Sequence, residues 1–260
     1  MKLSVPSIGA RVRSSLIRAI AALDLPNLPT NVAIAPAQIP LTPDRDDVRI
    51  GYRSAIAQRL VANCAPEVRS NAPEIATEIA AQIERIWPRP DIGGGELGAI
   101  SVGSGGALDL AIRDRAVARW LAGVLARGPG EATPPNAASW PIDYALDRCA
   151  SWAVAAEREG WFSLEADWLD GDGRLRLGLR AERTAIAALV RAGDRLDAAR
   201  PPKVSERDKL AARLATDFEA LHRHSRPWEA YHQGDRATAT ARLGLYCAYG
   251  VILRATLPPP

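Results

Sequence analysis

The sequence has few cysteines and no long apolar run. Only three of its 260 residues are cysteines, and Cys64, Cys149 and Cys247 lie far apart without forming a Cys-x-x-Cys pair. This usage predicts small buried thiols in a reducing compartment. No apolar run reaches the roughly 18 residues that a membrane span needs, and the N-terminus lacks the apolar core of a signal peptide. We therefore expect a cytoplasmic protein without membrane segments.

Sequence signatures of catalysis and metal binding are also missing. The glycine-rich stretch 93–106 is not followed by the Lys-Ser or Lys-Thr of a P-loop, and its glycines precede a strand rather than open a helix. Its Gly-Ser-Gly does not extend to the GxSxG pattern of hydrolases. His222 and His224 are two residues apart and would point to different faces of a helix, so with His232 they make a poor chelate. We expect no catalytic residue, no metal and no cofactor.

The positive charge is almost entirely arginine. The 33 basic residues include only three lysines, and the formal net charge is +3. The second half contains an acidic segment, 157–172, and a more basic one, 200–242. Arginine suits contacts with phosphates and bases, but this overall charge neither requires nor excludes a nucleic-acid partner.

Apolar residues recur at helical spacing through most of the chain. The last such stretch, 238–257, is apolar over much of its surface, which predicts a helix inside a bundle. The stretch 205–224 offers a matching apolar face, with Ser205 and Asp208 as a capping box at its start. Further helices are predicted at 7–23, 52–61, 71–86, 114–127, 141–159 and 179–196.

Strand and linker signals predict how these helices are divided. LGAISV and ALDLAI alternate like strands, and the glycines between them suit a tight turn. Asp170-Gly171-Asp172-Gly173 predicts a hairpin turn, and prolines interrupt the connection at 25–43. The clearest linker is GPGEATPPNAAS, at 128–139. We predict a mainly α protein, with a small α+β domain at 1–127 and an all-α helical bundle at 140–260.

Several segments together resemble arginyl-tRNA synthetase. GYRSAIAQRLV, NAPEIATEIAAQI and VGSGGALDLAIRDRAVARWL are similar to its N-terminal tRNA-binding domain. DYALDRCASW, LATDFEALHRHSRPW and ARLGLYCAYGVIL resemble its DALR anticodon-binding domain. The family's catalytic domain lies between these regions, but here only the linker stands there, and the HIGH and KMSKS signatures are absent from the sequence. The resemblance implies a tRNA-binding adaptor or chaperone without aminoacylation activity.

The resemblance also implies candidate tRNA contacts, position by position. The stretch that reads the D-loop in the family corresponds to Gly106-Ala107-Leu108-Asp109. Ala107 cannot stack on a base and Asp109 cannot donate a hydrogen bond, so we do not expect specific D-loop reading. The remaining candidates suit RNA-backbone contacts better than base readout. These candidates are Tyr144, Arg148, Arg213, Arg223, Arg226 and Arg242.

A second interpretation is a protein-interaction module that keeps the fold but no longer reads tRNA. Its partner would bind the acidic, tryptophan-rich segment through Trp161, Phe162 and Trp168, or the proline-rich segment 25–43. Exposed tryptophans would fit the core of an interface, whereas Trp120, Trp152 and Trp228 are predicted to be packing residues. An enzyme of unrecognised type is a third interpretation, without a residue set that supports it.

Overall fold

The computed structural model describes most of the chain, in eight stretches. They are residues 5–23, 34–44, 48–63, 71–86, 97–126, 139–160, 167–198 and 202–257. Within them the protein is mainly α-helical with one small antiparallel sheet, which confirms the predicted fold class. The residues group into two compact units, one covering 8–116 and the other combining 1–7 with 117–260. No helix among the described residues is long and apolar enough to cross a membrane.

The first unit combines helices with a four-stranded antiparallel sheet in the order β1-β2-β4-β3. Its elements are α1 (Ile8–Ala21), β1 (Thr42–Pro43), β2 (Gly51–Ser54), α2 (Ile56–Asn63), α3 (Ala72–Ile86), β3 (Leu97–Val102) and β4 (Leu108–Ile112). Helix α3 packs on α1, α2 and β3. Its Ile75, Ile79 and Ile83 are buried, as their helical spacing predicts.

The prediction of a helix that begins at Tyr52 is wrong for the first turn. Residues Gly51–Ser54 form β2, and α2 begins only at Ile56. Burial alternates in the strand, because Tyr52 and Ser54 are buried whereas Arg53 is exposed. This strand forms because it pairs with β4. The local sequence pattern could not predict it, because its partner lies more than fifty residues away.

The turn between β3 and β4 requires glycine at position 106. Gly106 has φ of +77°, a region that side chains with a Cβ rarely adopt. A Cβ there would lie 2.6 Å from the carbonyl carbon of Ala72. Gly103 N–H closes the hairpin on the Ala107 carbonyl at 2.8 Å. The predicted tight turn is confirmed, and it lies directly against the start of α3.

The two compact units divide inside helix α4, Asp114–Leu125, between residues 116 and 117. In the second unit, Trp120 of α4 is 1% exposed and packs on Gly193, where a Cβ would approach the indole to 2.8 Å. Trp120 is therefore a packing residue, as predicted. Residues 128–138 of the predicted linker lie outside the described residues, so the domain boundary placed there stays a prediction.

The second unit surrounds one central helix. Its further helices are α5 (Trp140–Arg158), α6 (Arg180–Leu196), α7 (Val204–His224), α8 (Pro227–His232) and α9 (Arg236–Thr256). Helix α9 packs on α5, α6, α7 and α8. Its Leu243, Tyr246 and Leu253 are completely buried. This confirms that the last predicted helix lies inside the bundle.

The start of α7 differs from its predicted capping box. Glu206 Oε2 accepts the backbone N–H of Lys203 at 2.9 Å, and the helix begins at Val204. The box predicted at Ser205 and Asp208 is therefore wrong, because the carboxylate that reaches back is two residues earlier. Glu182 caps α6 in the same way, by accepting the Leu179 N–H at 2.9 Å.

The hairpin turn predicted at Asp170 is confirmed. The Asp170 Oδ1 atom accepts the backbone N–H groups of Asp172 at 3.0 Å and of Arg174 at 2.9 Å. This arrangement, in which an aspartate side chain organises the next residues, is common in tight turns. The turn joins Leu169 to Leu175 in an antiparallel bridge, and the hairpin leads directly into α6.

Candidate nucleic-acid interface

A buried carboxylate joins distant parts of the second unit. The Glu182 side chain is 1% exposed, and its Oε1 accepts from Ser225 Oγ at 2.7 Å and from Arg242 Nε at 2.8 Å. Arg242 also donates from Nη1 to the backbone carbonyl of Arg226 at 3.2 Å. A buried carboxylate needs such partners because its desolvation is costly. The network therefore holds the link between α7 and α8 against α6 and α9.

Tyr246 and His222 extend this network. The Tyr246 hydroxyl donates to the Ser225 carbonyl at 2.8 Å, and His222 Nδ1 lies 3.2 Å from the same hydroxyl. Since the hydroxyl hydrogen points to Ser225, the His222 Nδ1–H is the donor to Tyr246, and Nε2 is the basic atom of the neutral ring. Burial lowers the pKa of His222, and the charges of Arg148 and Arg226 lower it further.

A strip of side chains, exposed at Trp140 and Arg148 and half-buried at Tyr144, follows one face of α5. Trp140, Tyr144 and Arg148 are four residues apart, so they lie on successive turns of one face. The Trp140 and Tyr144 rings stack with centroids 5.5 Å apart, and the Arg148 guanidinium lies 5.3 Å from the Tyr144 ring centre. Trp140 is 74% exposed. These three residues, called the α5 strip below, meet His222 through an edge contact of Tyr144 at 6.2 Å.

Four of the six arginine and tyrosine residues predicted to bind tRNA lie in this neighbourhood. Tyr144 and Arg148 form part of the α5 strip, and Arg226 is close enough to act on the charge of His222. The side chain of Arg242 is only 14% exposed and is bonded to Glu182. Arg242 therefore supports the link between α7 and α8, and the other three form the accessible group.

The two remaining predicted contacts lie on other faces of α7. Arg223 is exposed and pairs with Glu219 one turn earlier, at 2.7 Å. Arg213 is exposed and precedes His222 by nine residues. Nine residues make two and a half helical turns, so Arg213 and His222 project from opposite sides of α7. The structure does not bring Arg213 to the α5 strip.

The residues predicted to bind a protein partner are only partly described. Trp161 and Phe162 lie outside the described residues, so an interface there stays a prediction. Trp168 is 4% exposed, which contradicts the exposure expected of it. Trp168 lies in the Asp170 hairpin, where its carbonyl accepts the Arg176 N–H at 2.9 Å, and its side chain is buried.

The positions that correspond to D-loop reading belong to the sheet of the first unit. Ala107 is 5% exposed. Asp109 lies opposite Arg53 in the β2–β4 register, and the two side chains form an exposed ion pair at 3.7 Å. Asp109 thus has a cross-strand partner, and it presents a carboxylate rather than a hydrogen-bond donor on that surface.

Sequence reasoning missed three side chains that shape this region. Trp140 could have been found from its four-residue spacing to Tyr144. Glu182 had no such signal, because Leu179, at the N-cap position three residues earlier, is not a capping residue type. From the sequence, His222 is a surface histidine beside Arg223 or a poor metal ligand, and its contact with Tyr246 lies outside any local pattern. Trp228, predicted to be a packing residue, is 41% exposed and stacks on Tyr231 at 5.8 Å.

Acidic groups limit the positive charge of the region. Asp143 and Asp147 lie beside the α5 strip on the same helix, and Asp147 is exposed. Arg226 forms an ion pair with Glu229, with Nη1 and Oε1 3.2 Å apart. A concave site of about 500 Å³ between α6 and α7 also has both basic and acidic side chains in its lining, which includes Arg180, His224 and Asp217. The charge of the region is therefore mixed, and its exposed cations are Arg148 and the ion-paired Arg226.

The assembled surface offers aromatic faces for stacking and guanidinium groups for anions. Among the described residues, no group of three or more potential ligands could hold a metal ion. The chemistry of the exposed side chains is thus stacking on aromatic rings and pairing with anions. Comparisons with known protein families, with curated proteins and with solved structures find no match to this chain.

Proposed function

We propose that the protein binds tRNA in the cytoplasm without catalysing a reaction on it, as an adaptor or chaperone. The contact surface in this proposal is the α5 strip together with Arg226. The observation that supports it most is the stack of the exposed Trp140 ring on the half-buried Tyr144, with the Arg148 guanidinium beside the second ring. The resemblance of both halves of the chain to the tRNA-binding parts of arginyl-tRNA synthetase supports the same proposal.

Binding would use both stacking on an aromatic ring and pairing of arginines with phosphates. An exposed tryptophan ring accepts an unpaired base of any identity, because every base has a π-face. Arginine guanidinium groups bind phosphate oxygens through paired hydrogen bonds. Trp140 is the exposed ring, while Arg148 and Arg226 supply the cations. Such a surface retains RNA through its shape and backbone, and it leaves the chemistry to another protein.

Binding to bulk tRNA should depend steeply on salt and on the two cations. We expect a gel shift at low salt that disappears as salt rises, because phosphate contacts release counterions. Arg148→Glu and Arg226→Glu should each weaken binding roughly tenfold or more. Each should also reduce the salt slope, the slope of log affinity against log salt concentration, by about the value of one phosphate contact. Arg213→Glu is the matched control, since it makes the same charge change on the opposite side of α7.

That experiment tests the tRNA-binding function and the location of its contact surface separately. If the purified protein does not shift tRNA even at low salt, the tRNA-binding function is wrong. If Arg213→Glu weakens binding as much as Arg148→Glu, binding follows net charge and the α5 strip is not the contact surface. Folding of each variant should be checked by circular dichroism, and all three positions are exposed, so little change in stability is expected.

Trp140→Ala should weaken tRNA binding without changing its salt slope. A stacked base contributes about 1–3 kcal/mol, so we expect about a 5- to 150-fold loss of affinity. The salt slope should persist because no charge is removed. Val154→Ala is a suitable control, since Val154 is also exposed on α5 at 64%. Equal losses in the two variants would contradict a stacking role for Trp140.

A second function, binding of a protein partner, is favoured by the apolar exposure of α5. Trp140 and Val154 are both exposed, and their separation of fourteen residues is close to four turns, which puts them on nearly one face. Asp143 and Asp147 on the same helix would repel phosphates. A pull-down from native extract that recovers one stoichiometric protein and no RNA would support this function over the first.

A further inference from the structure

We propose that His222 is the third member of a phosphate site formed with Arg148 and Arg226, and that it takes up a proton when an RNA phosphate binds there. This inference rests on the proposed RNA-binding function. It assigns the ligand class of the site, a phosphate diester, and a regulatory property, a dependence of affinity on pH.

The position of His222 supports this role. It continues the buried face of α7 at the end of the helix, where its ring stacks parallel to Phe218 at 5.9 Å. The Tyr144 ring of the α5 strip meets its edge, and Tyr246 fixes its Nδ1 atom. The imidazole is therefore held in one orientation between the buried network and the strip. Such preorganisation lowers the cost of binding a ligand.

The hydrogen bonds also determine which atom receives the proton. Nδ1–H is committed to the Tyr246 oxygen, because the Tyr246 hydroxyl hydrogen is committed to the Ser225 carbonyl. Burial raises the pKa of Tyr246, so this hydroxyl stays protonated at neutral pH. An added proton must therefore bind to Nε2, on the other edge of the ring, and it leaves the Tyr246 contact in place.

The charged surroundings of His222 oppose protonation in the free protein. Arg148 and Arg226 both disfavour a positive charge on the ring. Three carboxylates of α6, α7 and α8 are paired with arginines, Glu182 with Arg242, Glu219 with Arg223 and Glu229 with Arg226. Helix α5 adds Asp143 and Asp147 beside the α5 strip. Tyr144 and Tyr246 contact the His222 ring, and the charges of Arg148 and Arg226 act on it. The other charged groups near this site on the same and neighbouring helices are Asp143, Asp147, Glu182, Glu219, Arg223 and Arg242.

A bound phosphate reverses this balance. Its negative charge compensates Arg148 and Arg226, removes their repulsion and attracts a proton to Nε2. The pKa of His222 is therefore low in the free protein and higher in the complex, so binding takes up a proton between the two values. By linkage, affinity rises as pH falls through that window, by at most about tenfold per pH unit for one proton.

The test measures bulk tRNA binding at pH 6, 7 and 8 at constant ionic strength. We expect the wild type to bind several-fold to about tenfold more tightly at pH 6 than at pH 8. His222→Gln should remove this dependence, since the amide can still donate to Tyr246 but cannot be protonated. His224→Gln and His232→Gln are matched controls on exposed histidines and should retain it.

A second measurement does not depend on any variant. The His222 ring resonances in the wild-type protein should titrate at a higher pH with tRNA than without it. A dependence on pH that persists in His222→Gln, or a His222 pKa that does not rise in the complex, overturns the inference and leaves RNA binding intact. Absence of tRNA binding at every pH overturns the proposed function, and the phosphate site with it.

Discussion

Replacing Arg242 with methionine should cost about 3–5 kcal/mol of unfolding free energy, because it leaves a carboxylate buried without its cation. The Glu182 side chain is 1% exposed and receives two hydrogen bonds at its Oε1 atom, one of them from Arg242 at 2.8 Å. Methionine keeps much of the side-chain volume, so the loss reports the unpaired charge rather than a cavity. Urea unfolding followed by tryptophan fluorescence measures it.

Two further variants identify the cause of this loss. Arg223→Met is the matched control, since Arg223 pairs with Glu219 in an exposed i,i+4 contact on the surface of α7 and should lose less than about 0.5 kcal/mol. Adding Glu182→Gln to Arg242→Met should recover part of the stability, because the buried group is then neutral. A loss at Arg242 no larger than at Arg223 would contradict a buried ion pair.

The same substitution should also weaken tRNA binding. Arg242 donates to the Arg226 carbonyl, and Ser225 next to it is held by Glu182 and Tyr246. Loss of this network frees the link between α7 and α8, which positions Arg226. Arg242 is thus a positioning residue in the proposed interface, although the sequence alone presented it as one more candidate contact.

Gly106→Ala should destabilise the first unit by about 3 kcal/mol or more. A residue with a Cβ at φ of +77° is strained by about 1–3 kcal/mol. The added Cβ would also lie 2.6 Å from the Ala72 carbonyl carbon and 2.8 Å from its oxygen. Because these neighbours are backbone atoms at the start of α3, they cannot rotate away, and either the turn or the helix must shift.

Gly105→Ala is the neighbouring control. Its Cβ would meet only the end of the Gln58 side chain, at 3.3 Å, and that chain can move. We expect a change within about 1 kcal/mol. Hydrogen exchange of the β3 and β4 amides in the full chain should therefore accelerate strongly in Gly106→Ala and little in Gly105→Ala. Similar protection in both variants would show that the left-handed turn does not limit stability.

Local sequence was sufficient for most of the helices. The isoleucine stripe of α3 and the broad apolar surface of α9 predicted their burial, and both are confirmed. A helix places residues three and four apart on one face regardless of the rest of the chain. The strands β3 and β4, the glycine turn and the Asp170 hairpin were predictable for the same reason, since their signals lie within a few residues.

The candidate site depended on contacts that no local pattern contains. Arg223 and Arg242 look alike in the sequence, yet one is exposed beside Glu219 and the other is largely shielded from water against Glu182, sixty residues away. Strand β2 likewise required pairing with β4. Spacing along the chain specifies which residues share a face. Whether a charged side chain on that face meets water or a buried counter-charge depends on how the helices pack together.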